Sequence, residues 1–198
     1  MIAAVVYVGC QMAGPGHVRH TGRGELVVGG RSGSRAGARR AEAVAALFER
    51  AGVPCEASAR VDDELWRKLL INCAYNALSA LTRLRYAPMV ASPWARVLMS
   101  EVVGEGVAVA HAEGVALDPN DLLERVWSIA DSMPEQISST AQDLQLGRPT
   151  EIDALNGFVA RRGAAHGLPV PANRALHALV KLLELTTPSP TPRSHFDR

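Results

Sequence analysis

Apolar and polar positions follow two different rhythms along this chain. Residues 2–8 (IAAVVYV) form an apolar run with β-branched residues and no helical period, which predicts a buried strand of a parallel sheet. Gly14-Pro15-Gly16 marks a turn. Residues 17–20 and 25–28 flank Thr21-Gly22-Arg23-Gly24, which predicts a hairpin turning at those four residues. Residues 29–37 read as a loop. Ala41, Val44, Ala45, Leu47 and Phe48 then take helical spacing over residues 38–51, with a stop at Gly52. Residues 53–59 predict one further strand. From residue 61 the helical period takes over, and helices are predicted over 62–84, 93–113, 119–133, 135–146, 151–166 and 172–185.

Several helix ends carry their own signals. Ser92-Pro93 and Asp118-Pro119 place a capping side chain before a proline at the first helical position. Thr150-Glu151-Ile152-Asp153 resembles a capping box with Asp in place of Glu or Gln. Gly114 and Gly167 act as stops, and Pro169 and Pro171 prevent continuation. The expected fold is mostly α. A partial α/β segment of Rossmann type covers residues 1–60, an all-α helical bundle covers 61–185, and residues 186–198, with three prolines among Ser and Thr, form a disordered tail.

Composition narrows the function classes. A length of 198 residues suffices for a real core without metal or disulfide staples. A net charge of +1 gives no reason to expect a nucleic-acid partner, and the apolar run at the start is too short to span a bilayer. Cys10, Cys55 and Cys73 show neither metal-ligand spacing nor a disulfide framework, so a reducing, cytoplasmic setting is expected. His17 and His20 lack metal-ligating companions. His111, His166 and His177 stand singly on predicted helices, and Trp66, Trp94 and Trp127 read as core anchors. Ten of the 17 glycines lie in the first 60 residues, yet none of their spacings gives G-x-G-x-x-G between a strand and a helix. Arg31 and Arg35 near a helix start suit an anion or, equally, a solvated turn.

The helix beginning near residue 62 is apolar around most of its circumference, which predicts burial. Lys68, Asn72 and Asn76 recur every four residues along it, and Ser79 completes a narrow polar stripe. Buried amides in register with a lysine need partners: a facing helix, water or a ligand. The alternative is an exposed Glu64–Lys68 pair with structural asparagines. Only two of 21 basic residues are lysines, Lys68 and Lys181. Unlike arginine, a buried lysine can release a proton near neutral pH. A second polar cluster comprises Ser138, Ser139, Gln142 and Asp143, followed by Glu151. Mid-helix back-bonding and the helix dipole would account for it structurally.

These motifs resemble those of the ketopantoate reductase (2-dehydropantoate 2-reductase) family. The stretch Trp66-Arg67-Lys68-Leu69-Leu70-Ile71-Asn72-Cys73-Ala74-Tyr75-Asn76 is similar to its signature helix, although Ala77 stands where many members have proline. Ser138-Ser139-Thr140-Ala141-Gln142-Asp143 with Thr150-Glu151-Ile152-Asp153-Ala154-Leu155-Asn156-Gly157 is similar to its second signature. His166-Gly167-Leu168-Pro169-Val170-Pro171-Ala172-Asn173 matches as well, and residues 14–22 resemble the hairpin of its nucleotide domain.

The resemblance implies NADPH-dependent reduction of 2-dehydropantoate to pantoate, on the way to pantothenate and coenzyme A. It implies Lys68 as general acid, Glu151 orienting the substrate hydroxyl, Asn72 and Asn76 lining the substrate site and Ser139 holding the carboxylate. It also implies a small 2-keto acid as partner and a homodimer as a possible assembly. The family's opening strand and G-x-G-x-x-G are absent, so the chain is expected to start partway through the nucleotide domain, and its activity alone is open. Two other readings stay open: a reductase of another 2-keto acid, and a non-catalytic helical domain or fragment.

Overall fold

The computed structural model describes residues 1–30 and 35–186. Arg31 and the expected tail beyond Thr186 lie outside the described residues. Two compact units are present, Met1–Lys68 and Leu69–Arg198. The division falls within one helix, whereas the sequence boundary at 60/61 coincides with that helix's start.

The first unit contains a three-stranded sheet in the order β1 (Ile2–Gly14), β2 (His17–Gly30), β3 (Cys55–Ala57). β1 pairs with β2 antiparallel from Ile2↔Gly30 to Gly14↔His17, and β2 pairs with β3 in parallel. Two expectations are corrected here. The first strand is antiparallel and 13 residues long. The hairpin turns at Pro15-Gly16, with Gly16 at φ +71°, and not at residues 21–24. Gly22-Arg23-Gly24 instead makes an irregularity inside β2, where the register passes from Tyr7↔Glu25 to Val8↔Arg23 and Arg23 adopts φ +56°. Helix α1 (Arg35–Arg50) packs on the sheet. Its buried Ala41 and Ala45 are small enough to meet Val28 and Cys55 closely, with Ile2, Leu26 and Val44 at the margin. Gly52, at φ +78°, closes the helix and returns the Val53 N–H to the Phe48 carbonyl at 3.0 Å.

Helix α2 (Val61–Thr82) opens with Asp62, Asp63 and Glu64, which complement the partial positive charge of a helix N-terminus. Its second half is the core of the helical unit. Leu70, Cys73, Ala74, Tyr75 and Ala77 are essentially inaccessible, as the near-continuous apolar circumference predicts. Around it lie α3 (Tyr86–Ala91), α4 (Pro93–Ala112), α5 (Pro119–Ser132), α6 (Ser139–Gln145), α7 (Asn156–Ala165) and α8 (Pro171–Thr186). Gly106 of α4 faces the Leu70 side chain at a separation that leaves no room for a Cβ. Ser92 and Asp118 cap α4 and α5 as their sequence signals predict.

Three helix expectations change. α3 was not expected, since Pro88 interrupts its six residues. Its first N–H groups are satisfied by the segment before α6: Tyr86 N–H reaches Gln136 O (3.0 Å) and Ala87 N–H reaches Pro134 O (3.1 Å). That same segment is therefore not helical, and α6 starts at Ser139 rather than 135. α7 starts at Asn156 rather than 151, because residues 150–155 form a turn in which Thr150 Oγ1 accepts from Ile152 N–H at 3.3 Å. Trp94 is 84% exposed and is no core anchor, while Trp127 lies under the Arg96 guanidinium, 4.2 Å from the ring centre. Among the described residues no helix is long and apolar enough to cross a membrane.

Candidate active site

In the first unit, Lys68 ends its last turn against strand β1. Its ammonium donates to the Val6 carbonyl at 2.5 Å. Glu64, one turn earlier, accepts from Arg67 at 2.5 Å and from the Tyr7 hydroxyl at 3.2 Å. Glu64 is thus engaged by Arg67 and by the Tyr7 hydroxyl.

In the helical unit, α2 carries Asn72 and Asn76 one turn apart. Asn76 is 4% exposed, and its amide reaches the Ser139 hydroxyl at 3.4 Å. That approach depends on Ser138. The Ser138 hydroxyl donates to the Asn76 carbonyl (3.1 Å) and accepts from Ala141 N–H (3.1 Å), while Ser138 N–H donates to Ser79 Oγ (3.2 Å). Ser138 is therefore the cap of α6 and its fastening to α2, not a mid-helix residue. Both serines are buried, so every bond in this clasp replaces one that water would otherwise make. Ser139, next in sequence, is exposed and carries its hydroxyl beside the Asn76 amide. Asn72 is half-buried, and no hydrogen bond holds its side chain among the described residues.

Glu151 is exposed in the turn before α7. The turn is tethered through its neighbour Thr150, whose N–H and hydroxyl both donate to Glu184 of α8 (2.9 and 2.6 Å). Asp143 of α6 feels the Glu151 charge. Burial pushes the Asp143 carboxyl up, Arg148 pulls it down, and Glu151 pushes it up again. The helical unit thus places Asn76 and Ser139 in hydrogen-bond contact and Glu151 within electrostatic reach of α6. Such an array of amide, hydroxyl and carboxylate can hold a small ligand through its carboxylate and hydroxyl groups.

Sequence reasoning missed two clusters in this unit. Buried Asn156 donates to the Cys73 carbonyl of α2 (3.2 Å) and to Asn173 Oδ1 (3.0 Å). Asn173 donates to Val102 O (3.1 Å) and Glu105 Oε2 (2.8 Å). Glu105 also accepts the first N–H groups of α8, from Ala172 and Asn173. Asn156 Oδ1 is buried without a hydrogen-bond partner among the described residues. The second cluster centres on Asp153, which accepts from His177 (2.6 Å) and Lys181 (3.0 Å). The signal for both was charge and amide placement on separate helices, which spacing within one helix does not reveal.

The His177 hydrogen bond first, then Lys181, holds the Asp153 carboxyl below its ordinary value. A depressed carboxylate stabilises the fold above its unfolded range, and that contribution is lost as pH falls through the folded-state value. Stability is therefore expected to decline below about pH 4, and Asp153→Asn should flatten that slope. Urea midpoints measured across the acid range check this; equal slopes for both chains would refute it.

The G-x-G-x-x-G cradle expected of a dinucleotide site is not supplied by the glycines at the end of β2. A Cβ on Gly29 would meet Val61 Cβ at 2.5 Å, and one on Gly30 would meet the Gly37 Cα at 2.8 Å. These glycines serve packing of the strand against its own unit, and the space they free is filled by protein. The described residues therefore do not fit a pyrophosphate at this strand end.

A family model described as "Ketopantoate reductase PanE/ApbA C terminal" matches residues 60–184. The 2-dehydropantoate 2-reductase of Vibrio cholerae is 34% identical over 167 residues, which are 84% of this chain and 55% of that protein. A PanE/ApbA family ketopantoate reductase from Ralstonia eutropha JMP134 superposes with a TM-score of 0.83 at 53% identity, over 94% of this chain and 60% of that one. A D-mandelate dehydrogenase solved with NADH and anilino(oxo)acetate shares the fold with a TM-score of 0.84 at 24% identity, over 93% of this chain and 59% of its own. The chain spans about half the length of the curated relatives it matches.

Proposed function

Because the chain belongs to the ketopantoate reductase family, we propose that it carries the keto-acid site of a 2-dehydropantoate 2-reductase and serves the NADPH-dependent reduction of 2-dehydropantoate to pantoate. The observation that carries this reading is the clasp in the helical unit. It sets the buried Asn76 amide beside the exposed Ser139 hydroxyl, while among the described residues no hydrogen bond holds the side chain of Asn72.

In this reading Ser139 donates to the substrate carboxylate. Asn72 and Asn76 bind its carbonyl and hydroxyl oxygens with amide groups, and Glu151 accepts from its hydroxyl and orients it. Lys68 donates a proton from Nζ to the carbonyl oxygen as that oxygen becomes an alkoxide. A reduced nicotinamide would supply the hydride when bound, and Gly29 and Gly30 do not form a cradle for its pyrophosphate. Assembly as a homodimer belongs to the same proposal and is supported by Leu179, Leu182 and Leu185, which α8 leaves exposed.

The test is direct binding. Calorimetric titration with pantoate should give saturable binding by the purified chain, and Asn76→Ala should weaken it about tenfold, the loss of one or two hydrogen bonds of about 1.4 kcal/mol together. Titration with other 2-hydroxy acids reads the side-chain preference. Absence of binding by any of them refutes the reading.

A further inference from the structure

Lys68 is one of only two lysines in the chain, and in the first unit it meets strand β1 at Val6 and Tyr7. The Tyr7 ring lies beneath two cations. The Arg23 guanidinium is 4.2 Å from its centre and the Lys68 ammonium 5.7 Å. Both distances are within the range at which a ring's negative face attracts a positive charge. The ring is itself fixed, because its hydroxyl donates to Glu64 at 3.2 Å, and Glu64 is held by Arg67.

Arg23 reaches the ring from an unusual backbone. It is the left-handed residue of the Gly22-Arg23-Gly24 irregularity, which occurs where the register of β1 and β2 slips beside Tyr7. A bulge of this kind re-aims a side chain. Here it turns a guanidinium, steadied by Glu25 at 2.6 Å, onto the ring that Lys68 approaches. A non-glycine residue in the left-handed region is disfavoured, and its persistence at this one place in β2 points to a task beyond holding the hairpin. Lys68 thus meets the Val6 carbonyl and the Tyr7 ring of β1, and that ring is in turn met by Arg23 of β2 and by Glu64 of α2.

We propose that Tyr7 is the positioning residue for Lys68: the ring, locked by Glu64 and Arg23, fixes where the ammonium stands above β1. This rests on the reading of Lys68 as proton donor, since a proton must be delivered to one atom of a bound substrate and a four-carbon side chain has many other places to be.

The experiment exploits the lysine count. In protein made with carbon-13- and nitrogen-15-labelled lysine, only two lysine spin systems appear, and Lys181, tied to Asp153 and Glu184, is the internal reference. The Lys68 ε-methylene protons are expected upfield of those of Lys181 through the Tyr7 ring current. Tyr7→Phe keeps the ring and should keep most of that shift. Tyr7→Leu should abolish it and raise the acylation rate of Lys68 relative to Lys181 several-fold, a change that loss of packing with Lys68 already free would not produce. Coincident Lys68 and Lys181 shifts in the unsubstituted chain overturn the proposal, with no need for any variant to fold. So does a Lys68 shift that Tyr7→Leu leaves unmoved. None of these readouts involves pantoate or turnover, so failure of the keto-acid reading and failure of the Tyr7 clamp are seen separately.

Discussion

On the proposed role of Lys68 as proton donor, Lys68→Met is expected to reduce NADPH-dependent formation of pantoate from 2-dehydropantoate by about 10²–10⁴-fold, the usual contribution of a positioned group of that kind. Methionine matches the length and apolar stem of lysine, so α2 keeps its apolar packing, while the transferable proton is lost together with the ammonium's bond to the Val6 carbonyl and its approach to the Tyr7 ring. Pantoate binding, which the proposed function assigns to Asn72, Asn76, Ser139 and Glu151, should change little, and the loss should fall on kcat rather than KM. Lys68→Arg should fail nearly as badly, because a guanidinium keeps its proton at any working pH. Steady-state kinetics with NADPH and 2-dehydropantoate check this. A Lys68→Met enzyme with unchanged kcat would remove Lys68 from the mechanism.

Asn173→Leu is expected to destabilise the helical unit by about 3–5 kcal/mol, a large fraction of the 5–15 kcal/mol available to a typical domain. The leucine cannot donate to Val102 O or Glu105, nor accept from Asn156, so several buried polar groups lose partners at once. Asn173→Asp should be at least as harmful, since it sets a second carboxylate against Glu105. Urea unfolding monitored by helix content measures both. A cost below about 1 kcal/mol, the worth of one ordinary exposed hydrogen bond, would mean that this network is not what joins α2, α4, α7 and α8.

The helices of the second unit were legible because burial imposes a 3.6-residue period and because Ser92, Asp118, Gly114 and Gly167 mark their ends. α3 was not legible. Its N–H groups are completed by carbonyls some 50 residues away, and Pro88 hides it in any local reading. The hairpin turn was misplaced because Gly22-Arg23-Gly24 has the composition of a turn, yet the twist of a long hairpin uses such residues for a bulge as readily. The stripe Lys68, Asn72, Asn76 was visible as spacing. What spacing could not show is that Ser138 bolts α6 to the Asn76 carbonyl, or that Tyr7 sits under Lys68. Both contacts join residues about 60 positions apart.

The register slips of the β1–β2 hairpin also bear on how the protein behaves in concentrated solution. Val6, Val8, Met12 and Val18 are exposed along it, and a long apolar ribbon of this sort is a template for edge-to-edge growth into fibrils. The ladder, however, is broken between Tyr7 and Val8, again between Gly9 and Cys10, and again between Met12 and Gly14. Only Ile2–Tyr7 remains as a regular run, so an incoming chain finds six residues in step and then a strand that has turned away. The same slip that carries Arg23 to Tyr7 thus shortens the regular ladder that the hairpin offers to another strand.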